Sequence, residues 1–224
     1  MRAFKQQRRT LALAAVITVG AVLGLGCGGG DNGGVGNTTG PGESLVYAGQ
    51  TYRTIKVNGK RWMAENLNYA PQKGGSWCYE VNNSNCGRYG RLYDWETAKT
   101  VCPAGWHLPT RREWGDLAIA AGGAGEYGES GMAGNKLKSA SGWNNGGNGT
   151  DGLEFTALAG GCRNTNRDGS GMFFGAGTGG FWWTDTEHDL DRAYFRQINL
   201  DRDEVEDGFS NKTNGFSVRC REDG

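Results

Sequence analysis

Read for apolar and polar positions, the chain falls into three unlike parts. Leu11 to Gly26 is a 16-residue run without a charge, preceded by Arg2, Lys5, Arg8 and Arg9. Residues 28–44 then carry a single apolar side chain of any size, Val35, among Gly, Asn, Thr and Ser. From residue 45 onward the apolar positions recur with the periods of regular structure. Ile55, Val57, Trp62 and Ala64 lie on either side of Asn58-Gly59, which predicts a hairpin with strands over 50–57 and 60–67. Trp95, Ala98, Val101 and Cys102 share a face if 95–101 is a helix capped by Asp94, and Pro103 and Gly105 would stop it. Thr110 and Glu113 make a capping box ahead of Trp114, Leu117, Ala118 and Ala121, a second helix ended by Gly122-Gly123. Near the C-terminus Phe216, Val218 and Cys220 alternate with Ser217, Arg219 and Arg221, the pattern of a strand with one buried face.

Between these elements, 122–180 is rich in Gly and Asn, and short apolar stretches occur at 153–159, 172–174, 181–184 and 193–200. The order is hairpin, two helices, long loops, then strands. It predicts one α+β domain over 45–224 with an antiparallel sheet.

Composition sharpens this division. Gly supplies 41 of 224 residues against a usual ~7%, which argues against a mostly helical protein because Gly costs ~1 kcal/mol per helix position relative to Ala. No Gly-X-Y period is present, so a collagen-like chain is excluded. Aromatic residues make 11% of the chain, too many for a disordered one. The 24 basic and 24 acidic residues cancel, which removes any general electrostatic case for nucleic acid or an anionic membrane surface as partner. Four of the basic residues sit in 1–27, so the remainder has 20 against 24, a net charge of −4. A cationic start, an apolar run and small residues before Cys27 describe a secretory signal. The run is short for a ~30 Å hydrocarbon core. Residues 28–44 read as a flexible tether spanning roughly 20–25 Å.

Catalytic motifs are scarce. There are two histidines, His107 between the two predicted helices and His188 in an acidic loop, and no H-x-x-x-H, paired CxxC or G-x-S-x-G. Two G-x-G-x-x-G matches, at Gly147/Gly149/Gly152 and Gly175/Gly177/Gly180, lead into strand-like residues, whereas a dinucleotide fingerprint needs a helix there. No cofactor motif is found. Asp185, Glu187, Asp189 and Asp191 alternate and would share one face of an extended segment, a weak candidate for Ca²⁺. EF-hand spacing fails, and a solvated acidic loop is the simpler reading. Of the eight Trp, Trp62, Trp95 and Trp114 occupy core positions. Trp77, Trp143 and one of Trp182 and Trp183 lie near loops and are the aromatic rings that could stack on a sugar. After Cys27 come Cys78, Cys86, Cys102, Cys162 and Cys220. An exported chain meets an oxidising compartment, and any four cysteines permit three pairings.

The segment Leu23-Gly24-Leu25-Gly26-Cys27 resembles a bacterial lipobox. That resemblance implies acylation of Cys27, palmitate among the chains, and a lipid anchor in the bacterial envelope, at the outer membrane or cell surface. Two or more chains make such an anchor stable. The segments WMAENLNY (62–69), GRLYDWETAKTVCPAGWHLPTRREW (90–114), WNNGGNGTD (143–151), FTALAGG (155–161), FWWT (181–184) and FSVRC (216–220) resemble, in order, the Fibrobacter succinogenes major paralogous domain, a family of bacterial surface and secreted proteins. The helix region from Trp95 to Trp114 is also similar to C-type-lectin-like domains and to the formylglycine-generating enzymes built on that fold. These resemblances imply a lectin-like fold with two helices, a small antiparallel sheet and long Gly/Asn-rich loops that carry any ligand site.

The lectin-like resemblance also implies a Cys102–Cys220 disulfide, which leaves Cys78–Cys86 to close a short loop. By loop-closure entropy these would stabilise by roughly 4–5 and roughly 2.5 kcal/mol. Cys162 is left over, either a buried thiol acting as a small apolar residue or, by analogy with formylglycine generation, a reactive one that would need a second free thiol nearby. The expectation for function is a lipid-anchored, non-catalytic binding or adhesion module for a polysaccharide or an envelope or extracellular protein, with its ligand groove in the 140–190 loops. The alternatives are a formylglycine-generating-type oxidase and a structural envelope component.

Overall fold

The computed structural model describes residues 40–41, 43–166 and 168–224. The signal segment, Cys27 and residues 28–39 of the tether lie outside the described residues.

The architecture is mixed α+β and richer in strands than the sequence suggests. One five-stranded sheet runs in the order Gly40–Pro41, Thr54–Val57, Lys60–Met63, Arg221–Glu222, Trp106–His107. A second runs Gly171–Ala176, Gly160–Thr165, Gly179–Glu187, Arg192–Asn199, Glu206–Asn211. Pairing is antiparallel except between Gly160–Thr165 and Gly179–Glu187, which meet in parallel at Gly161 and Gly180. Gly40–Pro41, placed in the tether by the sequence, pairs with Ile55 and Lys56. The expectation of one small antiparallel sheet is corrected accordingly, as is the reading of 160–180 as loop. Repeated Gly there does not prevent strands, because their neighbours supply the backbone partners.

The predicted hairpin turns at Asn58-Gly59, with φ of 51° and 76°, the two positive values a tight two-residue turn requires. Val57 faces Lys60 and Thr54 faces Met63. The expected strand over 50–57 is split: Gln50–Tyr52 pairs instead with Leu45–Tyr47, through a turn at Ala48-Gly49 that also has positive φ at both residues.

Four α-helices occur among the described residues: α1 Asn83–Tyr89, α2 Trp95–Ala98, α3 Arg111–Ala120 and α4 Ala133–Leu137. The two that the pattern predicts are α2 and α3. The capping box of α3 is complete, with both Thr110 and Glu113 bonding across it. Asp94 caps α2 through the Thr97 N–H. α2 stops at Ala98 rather than Val101, because the Thr100 N–H and hydroxyl both turn back to the Thr97 carbonyl and compete with helical bonding. α1 has a poor helical composition, NSNCGRY. It is held by the Asn82 cap and by the Cys78–Cys86 bond, whose second cysteine lies within it.

The segment 216–220 departs most from expectation. All five of its residues are buried, polar Ser217 and Arg219 included, and it is not an edge with one wet face. Its backbone bonds to both sides: Phe216 to Tyr93, Ser217 to Phe181 and Trp183, and the Val218 and Cys220 carbonyls to Leu67 and Met63. Two apolar clusters flank it. One is built on Trp62, Trp114, Phe155 and Trp182, the other on Tyr93, Trp95, Trp183 and Phe216. Arg219 can sit between them because its guanidinium reaches Asn66 and the carbonyls of Met63, Phe155 and Thr156 at 2.6–3.1 Å. A buried charge needs such a full set of acceptors.

Candidate functional site

Three of the four loop-side tryptophans are core residues. Trp182 and Trp183 are 0% exposed and Trp143 is 5% exposed. Their indole N–H groups are used internally, on Asn66, the Tyr93 carbonyl and the Ala157 carbonyl. None of the three offers a face to a ligand, which corrects the expectation for them. The reason is packing: aromatic rings this large are buried wherever both sheets can close on them.

Trp77 differs. It is half-buried, in the short strand Ser76–Trp77 paired with Leu92–Tyr93. It lines a cavity of about 260 Å³ together with Arg163, Thr165, Thr213, Lys212 and the first turn of α2. The Arg163 guanidinium lies over the indole, 4.1 Å from its centroid. This is the distance of a cation–π contact. Glycine makes room for the pair. A Cβ at Gly171 would collide with the Arg163 guanidinium, and one at Gly75 would collide with both Trp77 and Asp94. Arg163 is positioned by its strand, and its own N–H and carbonyl bond to Gly215.

The charges at this cavity are unequally satisfied. Asp94 accepts the Thr97 and Gly75 N–H groups at 2.8 and 2.9 Å. Glu96 pairs with Lys99 at 2.9 Å. Lys212 donates to Glu187 and to the Leu190 carbonyl at 2.5 and 2.8 Å. Arg163, only 8% exposed, reaches neutral acceptors, the Thr165 hydroxyl at 2.8 Å and the Gly169 carbonyl at 3.4 Å. It makes no ion pair among the described residues, and burial pushes it below its ordinary value. Nothing in the sequence marked Arg163, since its strand read as loop.

The acidic run does not assemble a cation site. Glu187 is taken by Lys212, and Asp189 by Arg192, His188 and two backbone N–H groups. Among the described residues no three His, Cys, Asp or Glu side chains group as metal ligands. The candidate of Asp185, Glu187, Asp189 and Asp191 is therefore withdrawn. Two of the four carboxylates, those of Glu187 and Asp189, are held by Lys212 and Arg192 instead.

The two disulfides are Cys78–Cys86 and Cys102–Cys220. Cys162 is free and buried, and burial pushes its thiol up to about 11. The four other described cysteines are bonded, so among the described residues Cys162 has no free thiol beside it, which the oxidase alternative would need. His107 bridges Asp223 at 2.6 Å and Glu113 at 3.1 Å, and Arg221 joins the same Glu113 at 2.6 Å. Burial raises the Glu113 carboxyl, but the Thr110 N–H, His107 and Arg221 outweigh it and hold it below the usual carboxylate range. This network ties the C-terminal residues to α3.

The family model of the Fibrobacter succinogenes major domain matches residues 55–220. The chain belongs to this family. No curated protein and no solved structure matches it.

Proposed function

From membership of this family and from the pocket at Trp77, we propose that the protein is a lipid-anchored component of the bacterial envelope. Its domain from about residue 45, lectin-like in fold, binds a polysaccharide without catalysis. The anchor would be acylated Cys27, with 28–44 as spacer. The observation that carries the reading is the half-buried Trp77 ring in the wall of a cavity that also presents Arg163, Thr165 and Thr213. A sugar ring presents C–H groups to an aromatic face and hydroxyls to its surroundings, and concave sites with a few convergent polar groups suit it. Thr165 and Thr213 line the same cavity, and no bound metal is needed for contacts of this kind.

The test is a glycan array and a cell-wall polysaccharide pulldown with the full chain in detergent, with and without calcium. Binding to at least one polysaccharide is expected, indifferent to calcium and lost in Trp77→Ala. A folded protein that binds no polysaccharide would favour a structural envelope role instead.

A further inference from the structure

We infer that the group taken at the Trp77 cavity is a carboxylate carried on a sugar, a uronic acid unit, with Arg163 as its counter-charge. This rests on the polysaccharide reading above and narrows it.

The argument is one of charge and satisfaction. A guanidinium carries five donors in a planar fork suited to a carboxylate. That of Arg163 lies against Trp77, in space that a side chain at position 171 would otherwise fill. Among the described residues only two neutral oxygens receive it. Buried cations are ordinarily paired with an anion, because leaving water is costly for an uncompensated charge. The other three charged side chains at the cavity are committed: Asp94 to two backbone N–H groups, Glu96 to Lys99, Lys212 to Glu187. Among the described residues Arg163 is therefore the cation at the cavity without an ion pair, whereas Lys212 has one, and Asp94 is held by backbone N–H groups alone. The indole and the two threonines add apolar surface and hydroxyls to the same lining. A sugar carboxylate matches all three features at once, whereas a simple carboxylate or an acidic peptide uses only the charge. Compare the molecule's other buried arginines: Arg196 faces Asp207 at 3.4 Å, and Arg219 has four acceptors. Arg163 alone of the three is left with neither.

The decisive comparison needs no variant. The full chain in detergent is titrated with an oligogalacturonide as the free acid, with the same oligomer methyl-esterified, with a neutral cello-oligosaccharide and with tetraglutamate, following tryptophan fluorescence and calorimetry. The free acid should bind at least tenfold more tightly than its ester, and the advantage should shrink as salt rises. Arg163→Gln should remove the advantage while leaving residual binding of the ester. Arg163→Lys should restore part of it. Equal binding of acid and ester, or binding of the neutral oligomer alone, would overturn the carboxylate assignment and leave the polysaccharide reading standing. Tetraglutamate binding as tightly as the oligouronide would overturn the commitment to a sugar. Failure of both oligosaccharides would overturn the carboxylate assignment, and the polysaccharide reading would then stand or fall on the glycan array.

Discussion

Arg219 donates through Nε to the side-chain oxygen of Asn66 at 2.6 Å, and the same oxygen takes the Trp182 indole N–H at 2.9 Å. One amide, itself anchored to the Tyr89 carbonyl through its nitrogen at 2.8 Å, thus satisfies a buried charge and a buried indole.

Asn66→Ala should therefore cost far more than a surface substitution. Each buried donor left without an acceptor costs about 1–3 kcal/mol, so a loss of about 2–4 kcal/mol is expected. For a domain of this size it should lower Tm by roughly 5–15 °C, measured by thermal denaturation. A loss below about 0.5 kcal/mol would mean that the amide is not the acceptor that matters.

The two disulfides should differ in worth. Cys102 and Cys220 are 118 residues apart, Cys78 and Cys86 only 8. Loop-closure entropy predicts about 4–5 kcal/mol for the long link and about 2.5 kcal/mol for the short one. Urea titration of the two double-alanine variants checks the order. A larger loss for the short link would show that holding α1, not restricting the unfolded chain, is its main contribution.

Glu113 should make stability depend on pH in the acid range. Its carboxyl is held below the usual value in the folded protein, so the unfolded chain takes up the proton first. The stabilisation is fully present above the unfolded value of about 4.3 and is lost as pH falls through the folded value. Denaturation curves from pH 7 to 3 should show wild type and Glu113→Gln converging at the acid end. A difference that stays constant would assign the effect to lost hydrogen-bond geometry rather than to charge.

Cys162 should be inert in the native protein. Its thiol is buried and pushed up to about 11, and the thiolate is the reactive form. Iodoacetamide labelling at pH 8, followed on the Cys162 peptide by mass spectrometry, should be at least 100-fold slower in native than in unfolded protein. Rapid native labelling would reopen a reactive role.

Much of the local structure was legible because it is local. Asn58-Gly59 specifies its turn by backbone freedom, and Thr110 with Glu113 specifies the start of α3 by hydrogen bonds three residues apart. The Cys102–Cys220 and Cys78–Cys86 links were implied by a family resemblance. By contrast α1 was not legible, since its Asn-, Ser- and Gly-containing residues lack propensity and depend on a cap and a cross-link. Nor was the fate of Trp143, Trp182 and Trp183, because proximity to a loop says nothing about which sheet closes over a ring.

The sequence by itself determined the periodic elements around Asn58-Gly59, α2 and α3, the family, and the presence of a Gly- and Asn-rich stretch whose chemistry it left open. Tertiary structure decided that this stretch contains strands, that Arg219 is inside and not on a wet face, and that Arg163 meets Trp77, 86 positions away in the chain. Periodicity records which side of one element is apolar. It holds no record of which distant strand supplies the partner of a buried charge, or leaves that charge without one.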